Sequence, residues 1–373
     1  MKIALVGSNF SPINPDTNRG PEMFIHTFLK QFVKQVGTET VEIIAFAAGN
    51  SQLPVKIESI SAGSSLDDPD IGIENHKLFE LALCAKAFAH ESEFDLFHIN
   101  TGDEKLVLPL LQFTKKPVLI TLHSRLEGNL TKKIYDLYRQ TKNLHLISIS
   151  NSQRKPLPYL NFVKTIYHGI DIEELSFSDK SDDFILFIGR GIPEKGLDMA
   201  FEIIAKTKKP AEFYVAPRDK HNDWMIQLLN QFKDLVTPSL KTERKLIIER
   251  YQKAKLFLFP IRWEEPFGLV MIESMAVGTP VVAFAKGSVP EVIKDGETGF
   301  IVNFSENDKR GDFIIKKTGV EGLYEAIEKI YSLPESEYRK LRNNCRDHVE
   351  KNFTVERMVE DYEKIYYSLK NKS

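Results

Sequence analysis

Short apolar runs alternate with longer stretches of helical periodicity through the first 150 residues. Runs of this kind, flanked by turn residues, are typical of β-strands that are covered on both faces. Five of them predict strands: KIALVG (2–7), VEIIAF (41–46), DLFHIN (95–100), PVLITLH (117–123) and LHLISIS (144–150). The stretches 21–36 and 78–90 have the spacing of amphipathic helices. The pattern predicts a parallel sheet with helices on both faces.

The same alternation starts again after the polar segment 172–183. Strands are predicted for DFILFIGR (183–190), AEFYVAP (211–217), KLFLFP (255–260) and TPVVAF (279–284), with a helix over 196–208. We therefore expect an N-terminal Rossmann-like domain over 1–171 and a C-terminal one over 172–352. The remaining stretch, 353–373, should form a terminal helix that crosses back to the first domain. The predicted fold class is α/β, with two doubly wound domains that face each other across a cleft.

The terminal helix is predicted from an apolar stripe with helical spacing. The stripe consists of Met358, Tyr362, Ile365, Tyr366 and Leu369.

Composition narrows the class of protein. The 373 residues carry 50 Lys and Arg against 52 Asp and Glu, so there is no basic surplus that would favour nucleic acid. No apolar run approaches the roughly 18 residues of a membrane span, and the start is interpreted as a first strand rather than a signal peptide. We expect a cytoplasmic protein whose two cysteines, Cys84 and Cys345, are reduced thiols. No His or Cys cluster has metal-ligand spacing, and the acidic run 67–70 is interpreted as a solvated loop, so no metal and no cofactor are expected.

Two glutamates mark the end of the predicted strand 255–260. Glu265 stands before Pro266, and Glu273 lies inside the helix that Pro266 is suited to start. The backbone N–H groups of residues 267–270 would have no partner within that helix, and Gly268 would let an anion come close. Carboxylates do not bind phosphate, so the two glutamates would instead accept hydrogen bonds from sugar hydroxyls. The alternative is an ordinary surface helix that carries two glutamates.

A second loop, GRGIPEKG (189–196), follows the predicted strand 183–190. It matches neither a GxGxxG fingerprint nor a P-loop. Arg190 and Lys195 are two cations five positions apart that could hold a diphosphate and stabilise it as it leaves. Two solvated loop cations are the alternative.

Together these segments resemble the GT-B fold glycosyltransferases, and within them the GT4 family (group 1 glycosyltransferases). The spacing of Glu265 and Glu273 is similar to that family's paired-glutamate motif, and 273–302 resembles the segment that follows it. GRGIPEKG resembles the family's diphosphate loop, and HGID (168–171) resembles the turn that closes its first domain. The resemblance is strongest over 166–302.

The resemblance implies a role for each matching residue. Arg190 and Lys195 would bind the donor diphosphate, Glu273 the ribose, and Glu265 would face the transferred sugar. Backbone amides would bind sugar hydroxyls or the β-phosphate, and they belong to Phe267, Gly268, Leu269 and Val270.

In the first domain, His123 would be an active-site residue presented by the strand end TLHS (121–124). Gly20 would keep the backbone close to diphosphate or acceptor. The loop NRGPEM departs from the family pattern, because Arg19 replaces one of two glycines and Pro21 follows the other. Arg19 would then be either a change in loop shape or a further phosphate ligand.

The implied function is a retaining, metal-independent hexosyltransferase. It would move a hexose from a nucleoside-diphosphate sugar, with UDP-sugar favoured and GDP-mannose second, to a hydroxyl of a glycan, a lipid-linked or a small-molecule acceptor. His123 and Glu265 would hold the sugar, and the acceptor would attack from the face that the diphosphate leaves. The segment 236–244 is expected near the base. The alternatives are a non-catalytic GT-B subunit, a sugar-nucleotide epimerase or a two-domain solute-binding protein.

The basic, aromatic-containing stretch 131–142 predicts either an ordinary surface helix or peripheral contact with the inner face of a membrane.

Overall fold

The computed structural model describes residues 1–17, 19–37, 39–217, 219–232, 237–240 and 243–371. The chain divides into two compact units, one formed by Met1–Gly169 with Val355–Ser373 and the other by Ile170–Thr354. The unit boundaries lie two residues from those expected at 171/172 and 352/353. Each unit is a parallel sheet with helices on its faces.

The first unit contains seven parallel strands in the order β3-β2-β1-β4-β5-β6-β7. Its strands are β1 (Lys2–Val6), β2 (Glu42–Phe46), β3 (Ile57–Glu58), β4 (Leu96–Ile99), β5 (Val118–Thr121), β6 (Leu144–Ser148) and β7 (Phe162–Thr165). Its helices before the second unit are α1 (Gly20–Gln35), α2 (His76–Ala89), α3 (Asn129–Tyr138) and α4 (Asn151–Arg154), with 3-10 segments at Ile73–Asn75, Glu91–Glu93 and Glu104–Phe113.

The second unit contains six parallel strands in the order β10-β9-β8-β11-β12-β13. Its strands are β8 (Ile185–Arg190), β9 (Ala211–Ala216), β10 (Thr237–Ser239), β11 (Leu256–Phe259), β12 (Val281–Phe284) and β13 (Gly299–Val302). Its helices are α5 (Leu197–Thr207), α6 (Asn222–Gln231), α7 (Arg244–Lys253), α8 (Leu269–Ala276), α9 (Val289–Val292), α10 (Gly319–Tyr331) and α11 (Glu335–Asn352), with 3-10 turns at Ile172–Glu174, Pro193–Lys195 and Asp219–His221. The chain then forms α12 (Val355–Lys370).

The strands in the middle of each sheet are mostly apolar because both faces of the sheet are covered. In β1, Ile3 and Leu5 belong to one hydrophobic core and Ala4 and Val6 to another. All four side chains are fully buried. Successive strand residues point to opposite faces, so a strand with a core on each side is mostly apolar, and a buried polar residue within it needs a partner.

The terminal helix α12 packs on α1 and belongs to the first unit. Its Tyr362 and Tyr366 are fully buried, and their hydroxyl groups are satisfied by a polar chain across the sheet. The Tyr366 hydroxyl contacts Nδ1 of His98 at 2.7 Å, and Nε2 of His98 contacts Thr121 Oγ1 at 2.8 Å. Thr121 in turn contacts the Tyr362 hydroxyl at 2.8 Å. These polar groups can be buried without a large loss of stability because each has a hydrogen-bond partner.

Strand order decides where ligands can bind. In the first sheet the order reverses between β1 and β4, and in the second between β8 and β11. Loops after such a pair of strands leave in opposite directions and open a crevice at the carboxyl edge of the sheet. Arg190 and Lys195 follow β8 and Glu265 follows β11, so the predicted donor residues lie at the reversal of the second sheet. No helix among the described residues is long and apolar enough to cross a membrane.

Candidate active site

The loop after β8 is brought against the end of β11 by a glycine. Gly196 has a left-handed backbone (φ 73°) and caps the start of α5. A Cβ at this position would lie 2.0 Å from the carbonyl oxygen of Pro260, the residue after β11. No other residue type fits both requirements. The predicted diphosphate loop and the predicted glutamate loop are therefore held in contact by backbone packing.

Lys195 and Glu265 form an ion pair across these two loops. Nζ of Lys195 lies 2.7 Å from Oε2 of Glu265, and only 14% and 11% of the two side chains is exposed. The indole Nε1 of Trp263 donates to the same oxygen at 2.8 Å. The Arg190 guanidinium carbon and Lys195 Nζ lie 4.9 and 4.6 Å from the Trp263 ring centroid. Three residues predicted to act together are thus grouped around one tryptophan.

Glu265 is ionised at neutral pH in this setting. Burial alone would raise its pKa, but the charge of Lys195 and hydrogen bonds from Lys195 and Trp263 outweigh burial. The net pKa of Glu265 is lowered, and the charge of Arg190 acts in the same direction. Both hydrogen bonds reach Oε2 of Glu265, and neither engages Oε1.

The turn after β12 packs against the Glu265 loop and holds it by hydrogen bonds. Gly287 (φ 56°) packs so closely that a Cβ there would lie 2.3 Å from the backbone N and O of Glu265. The N–H of Ser288 donates to the Glu265 carbonyl at 2.9 Å, and its Oγ donates to the Phe267 carbonyl at 2.7 Å. The neighbouring Glu264 pairs with an arginine, because Arg310 donates to both of its carboxylate oxygens at 2.7 Å. The two adjacent glutamates thus have different partners, Arg310 for Glu264 and Lys195 for Glu265.

Helix α8 begins where the sequence predicted an anion site. Gly268 is its N-cap in a left-handed conformation (φ 82°), and Phe267 is buried beneath the turn. The N–H groups of a first helical turn have no partner within the helix and carry the positive end of its dipole. Residues 267–270 form the turn that leads into α8. The predicted backbone donors therefore lie together, shortly after Glu265.

Glu273 is buried in α8 and contacts an arginine that the sequence analysis did not assign. Nη1 of Arg244, the first residue of α7, lies 2.9 Å from Oε1 of Glu273. The charge of Glu273 raises the pKa of Arg244. Arg244 ends the segment 236–244 that was expected near the base, of which residues 236, 241 and 242 lie outside the described residues.

His123 lies two residues beyond β5, at the carboxyl edge of the first sheet. Its Nε2 is 3.1 Å from Oδ1 of Asn100, which follows β4. Its ring stacks on His168 with centroids 5.6 Å apart and is tilted against Phe24 at 5.1 Å. Burial lowers the pKa of His123 well below its usual range, and His168 and His98 act in the same direction. The imidazole is therefore neutral, and we infer that Nε2 carries its proton toward Asn100.

A buried carboxylate fixes the His123 loop. Glu104 is fully buried, and its Oε1 accepts the N–H groups of His123 and, at 3.0 Å, of Ser124. Its Oε2 accepts the Ser124 hydroxyl at 2.7 Å. Both carboxylate oxygens of Glu104 therefore hold the turn that carries His123 and Ser124.

The start of α1 contains Arg19, Gly20 and Glu22. Gly20 is the first helical residue, and apart from its chain neighbours and its own helix no atom of the described residues lies within 4 Å of the place where a Cβ would stand. The fold itself therefore gives no reason for glycine at this position. Arg19 lies on the Phe10 ring at 4.0 Å, and its Nε is 3.3 Å from Oε1 of the buried Glu22.

Several of these functional candidates were missed from sequence. Trp263 carried a signal, since it is an aromatic residue two positions before Glu265 in the same loop. Asn100 ends the predicted strand 95–100, and polar residues at such ends are candidates by position alone. Glu104 gave no signal, because its partner His123 is 19 residues away along the chain. Arg244 lies in the segment expected near the base, but its pairing with Glu273, 29 residues away, was not predicted.

Comparison with known proteins matches the second unit to a family. Residues 171–348 match the family model of the glycosyl transferases group 1. An uncharacterized 41.2 kDa protein in the cps region of Klebsiella pneumoniae is 26% identical over 219 residues. That alignment covers 56% of this chain, and the chain spans about half the length of this curated relative (56%).

Solved structures give the fold of the whole chain. Sucrose-phosphate synthase from Thermosynechococcus elongatus has a TM-score of 0.77 at 18% identity, with all of both chains covered. Anabaena Alr3699/HepE in complex with UDP and glucose has a TM-score of 0.73 at 16% identity, covering 99% of this chain and all of that one. The unit that carries Arg190, Lys195, Glu265 and Glu273 belongs to the group 1 glycosyl transferases, and the chain as a whole has the GT-B fold.

Proposed function

We propose that this protein transfers a hexose from a nucleoside-diphosphate sugar, with UDP-sugar favoured and GDP-mannose second, to a hydroxyl of a glycan or lipid-linked acceptor. The observation that carries the proposal is the group formed by Lys195, Glu265 and Trp263, with Arg190 beside it, at the strand reversal of the second sheet. Cations and helix-start amides suit a diphosphate, whereas an ionised carboxylate beside them suits a sugar hydroxyl. A nucleotide alone would not call for Glu265.

UDP is favoured because Anabaena Alr3699/HepE, which shares the fold, is described in complex with UDP and glucose. A glycan acceptor is favoured by the relative from the cps region. The donor test therefore compares three bases.

The proposed mechanism is electrostatic, with retention at the anomeric carbon and without a metal ion. Arg190, Lys195 and the start of α8 stabilise the negative charge that grows on the departing diphosphate. Gly20 lets the diphosphate approach the first unit, Glu273 binds the ribose, and Glu265 with His123 holds the transferred sugar. Because His123 is neutral, it hydrogen-bonds a sugar hydroxyl without adding charge. The acceptor attacks from the face that the diphosphate leaves, and the leaving phosphate takes the acceptor's proton.

Thermal shift with UDP-, GDP- and ADP-sugars tests the donor. One base should stabilise the protein, and Lys195→Ala and Glu273→Ala should each lose that stabilisation. Lys206→Ala and Glu202→Gln, on α5 and away from the carboxyl edge, are matched controls that should keep it. A folded protein that no nucleotide sugar stabilises would contradict the proposal and favour a non-catalytic subunit.

The favoured donor then separates the remaining alternatives. Transfer to an acceptor in the presence of EDTA, with the anomeric configuration of the product read by NMR, tests retention and metal independence together. Conversion of the donor into another sugar nucleotide without an acceptor would identify an epimerase instead.

We also propose that the first unit contacts an anionic membrane surface through α3. Leu130 and Leu137 stand seven residues apart on this helix with 70% and 77% of each residue exposed. Lys132 and Lys133 lie between them, and Phe113, 67% exposed, ends the 3-10 segment that packs beside α3. Exposed apolar side chains next to lysines suit the boundary between headgroups and acyl chains.

Sedimentation with phosphatidylglycerol and phosphatidylcholine vesicles tests the contact. Binding should require the anionic lipid, and a Leu130→Ser, Leu137→Ser variant should lose it. Leu78→Ser, which changes an equally exposed leucine on α2, should not. Equal sedimentation of all three proteins would show that α3 is an ordinary surface helix.

A further inference from the structure

Three buried side chains of the first unit keep a polar atom without a hydrogen-bond partner at one edge of the sheet. The atoms are Oε2 of Glu22, Nδ2 of Asn100 and Oγ1 of Thr101. The three residues are at most 1% exposed. More than nine in ten buried polar groups in proteins are paired, and an unpaired one costs roughly 1–3 kcal/mol, more if it is charged. Such groups at one place need an explanation.

The place is the strand reversal of the first sheet. Asn100 and Thr101 directly follow β4, and the N–H of Asn100 donates to the carbonyl of Val6, the last residue of β1, at 2.7 Å. Glu22 lies in the first turn of α1, and Ser11 of the loop after β1 donates to its Oε1 at 3.2 Å. Asn100 also contacts the proposed active-site residue His123. The unpaired atoms therefore surround the position where this type of sheet binds ligands.

A purely structural role does not account for Glu22. Glu104 is a structural carboxylate in the same unit, and both of its oxygens accept hydrogen bonds from the His123 turn. Glu22 has one weak bond on Oε1 and none on Oε2. Its ion pair with Arg19 does not satisfy it either, because Nε of Arg19 makes no hydrogen bond despite the 3.3 Å approach.

The three atoms define the chemistry of the missing partner. A carboxylate accepts, an amide N–H donates, and a hydroxyl does either. A phosphate would be repelled by Glu22, and an alkyl chain would leave all three atoms unpaired. The hydroxyl groups of a sugar or polyol both donate and accept, so this class of ligand suits all three atoms.

We propose that Glu22, Asn100 and Thr101 bind hydroxyl groups of the acceptor, which presents a sugar or polyol at this subsite. The inference rests on the proposed transferase function and adds the class of acceptor. Arg19 covers Glu22 and reaches solvent, with 41% of its side chain exposed. Displacement of Arg19 opens the carboxylate to the acceptor.

The test measures nucleotide release from the donor that stabilises the protein, with and without added acceptor. The probes are glucose, galactose and myo-inositol, with n-butanol as a simple alcohol. The sugars or the polyol should accelerate release above the rate with water, and n-butanol should not. Glu22→Gln and Thr101→Val preserve shape and should raise the half-saturating concentration of the effective probe about tenfold or more. Glu42→Gln, at the opposite edge of the sheet, is the matched control and should not change it.

The outcomes separate the inference from the function on which it rests. Failure of the wild type to bind any nucleotide sugar overturns the transferase proposal. Normal donor binding with no acceleration by any sugar or polyol, with acceleration by n-butanol equal to theirs, or with unchanged half-saturation in both variants, overturns only the acceptor subsite. An unchanged affinity for the nucleotide in Glu22→Gln and Thr101→Val shows that the variants are folded and that the effect concerns the acceptor.

Discussion

Replacing Lys195 by Met should destabilise the second unit strongly, because it leaves Glu265 buried without its counter-charge. At 2.7 Å the attraction is roughly 6 kcal/mol for an effective dielectric constant of 20, before desolvation is subtracted. Removing one partner of a buried ion pair typically costs about 3–5 kcal/mol. We expect Lys195→Met to lose an amount in this range at pH 7.5, and the double variant with Glu265→Gln to lose clearly less than the sum of the single ones.

The pH dependence follows from the carboxyl group. In the wild type the pKa of Glu265 is lowered, so its contribution to stability is complete above the unfolded pKa of about 4.3 and is lost as pH falls through the lower folded value. Without Lys195, burial is the largest influence left and opposes ionisation. The deficit of Lys195→Met should therefore be largest at neutral pH and shrink toward pH 4.

Urea denaturation followed by tryptophan fluorescence is the suitable assay. The chain has two tryptophans, and both Trp224 and Trp263 lie in the second unit, so the signal reports that unit. The exposed pair Glu249–Lys253 has nearly the same length, 2.8 Å, and provides the matched cycle. Its coupling should be small, because solvent screens an exposed pair. A coupling between Lys195 and Glu265 no larger than that of Glu249 and Lys253 would show that the buried pair does not stabilise the second unit.

Three further variants test other parts of the structure. Gly20→Ala should leave the unfolding free energy unchanged or raise it by up to about 1 kcal/mol, because the space is open and alanine favours helix. The same variant should weaken nucleotide-sugar binding in a titration, and unchanged binding would contradict the role of Gly20. Arg342→Met should lower the unfolding free energy by about 3–5 kcal/mol in urea denaturation, because the buried guanidinium donates to the carbonyls of Ser178, Ala254 and Gln252. A decrease of less than about 1 kcal/mol would contradict this role. Burial lowers the pKa of His98 to about 3, so between pH 7 and pH 4 this side chain binds a proton in the unfolded chain but not in the folded one. His98→Gln should therefore remove about 3 kcal/mol of the acid-induced loss of stability. Equal pH profiles of the variant and the wild type would contradict the neutral state of His98.

The apolar runs were sufficient to predict where most strands and the first helices lie. KIALVG became β1 (Lys2–Val6) and KLFLFP became β11 (Leu256–Phe259), because a strand with a core on each face is mostly apolar. The two-residue β3 was not predicted, since two residues carry no period. The segment Glu104–Phe113 has an apolar pattern but contains Pro109, and it forms 3-10 helix rather than α-helix.

For the site, the sequence could indicate which strand ends carry chemistry but not which side chains meet. Lys195 and Glu265 are 70 residues apart, and only the strand order β9-β8-β11 makes their loops neighbours. The pairing of Glu273 with Arg244 and the support of His123 by Glu104 depend on side-chain packing that no local pattern encodes. Conversely, the open space beside Gly20 shows that a glycine suggested by resemblance is not required by the fold.

Calorimetric titration of the wild type with UDP in the presence of EDTA tests directly whether a nucleotide binds at the strand reversal of the second sheet. We expect saturable binding at one site, weakened at least tenfold in Lys195→Ala and in Glu273→Ala and unchanged in Lys206→Ala. GDP and ADP, titrated in parallel, decide the base. A folded protein that binds none of the three nucleotides, or that binds one equally well without Lys195 and Glu273, would contradict the assignment of the donor site to the strand reversal of the second sheet.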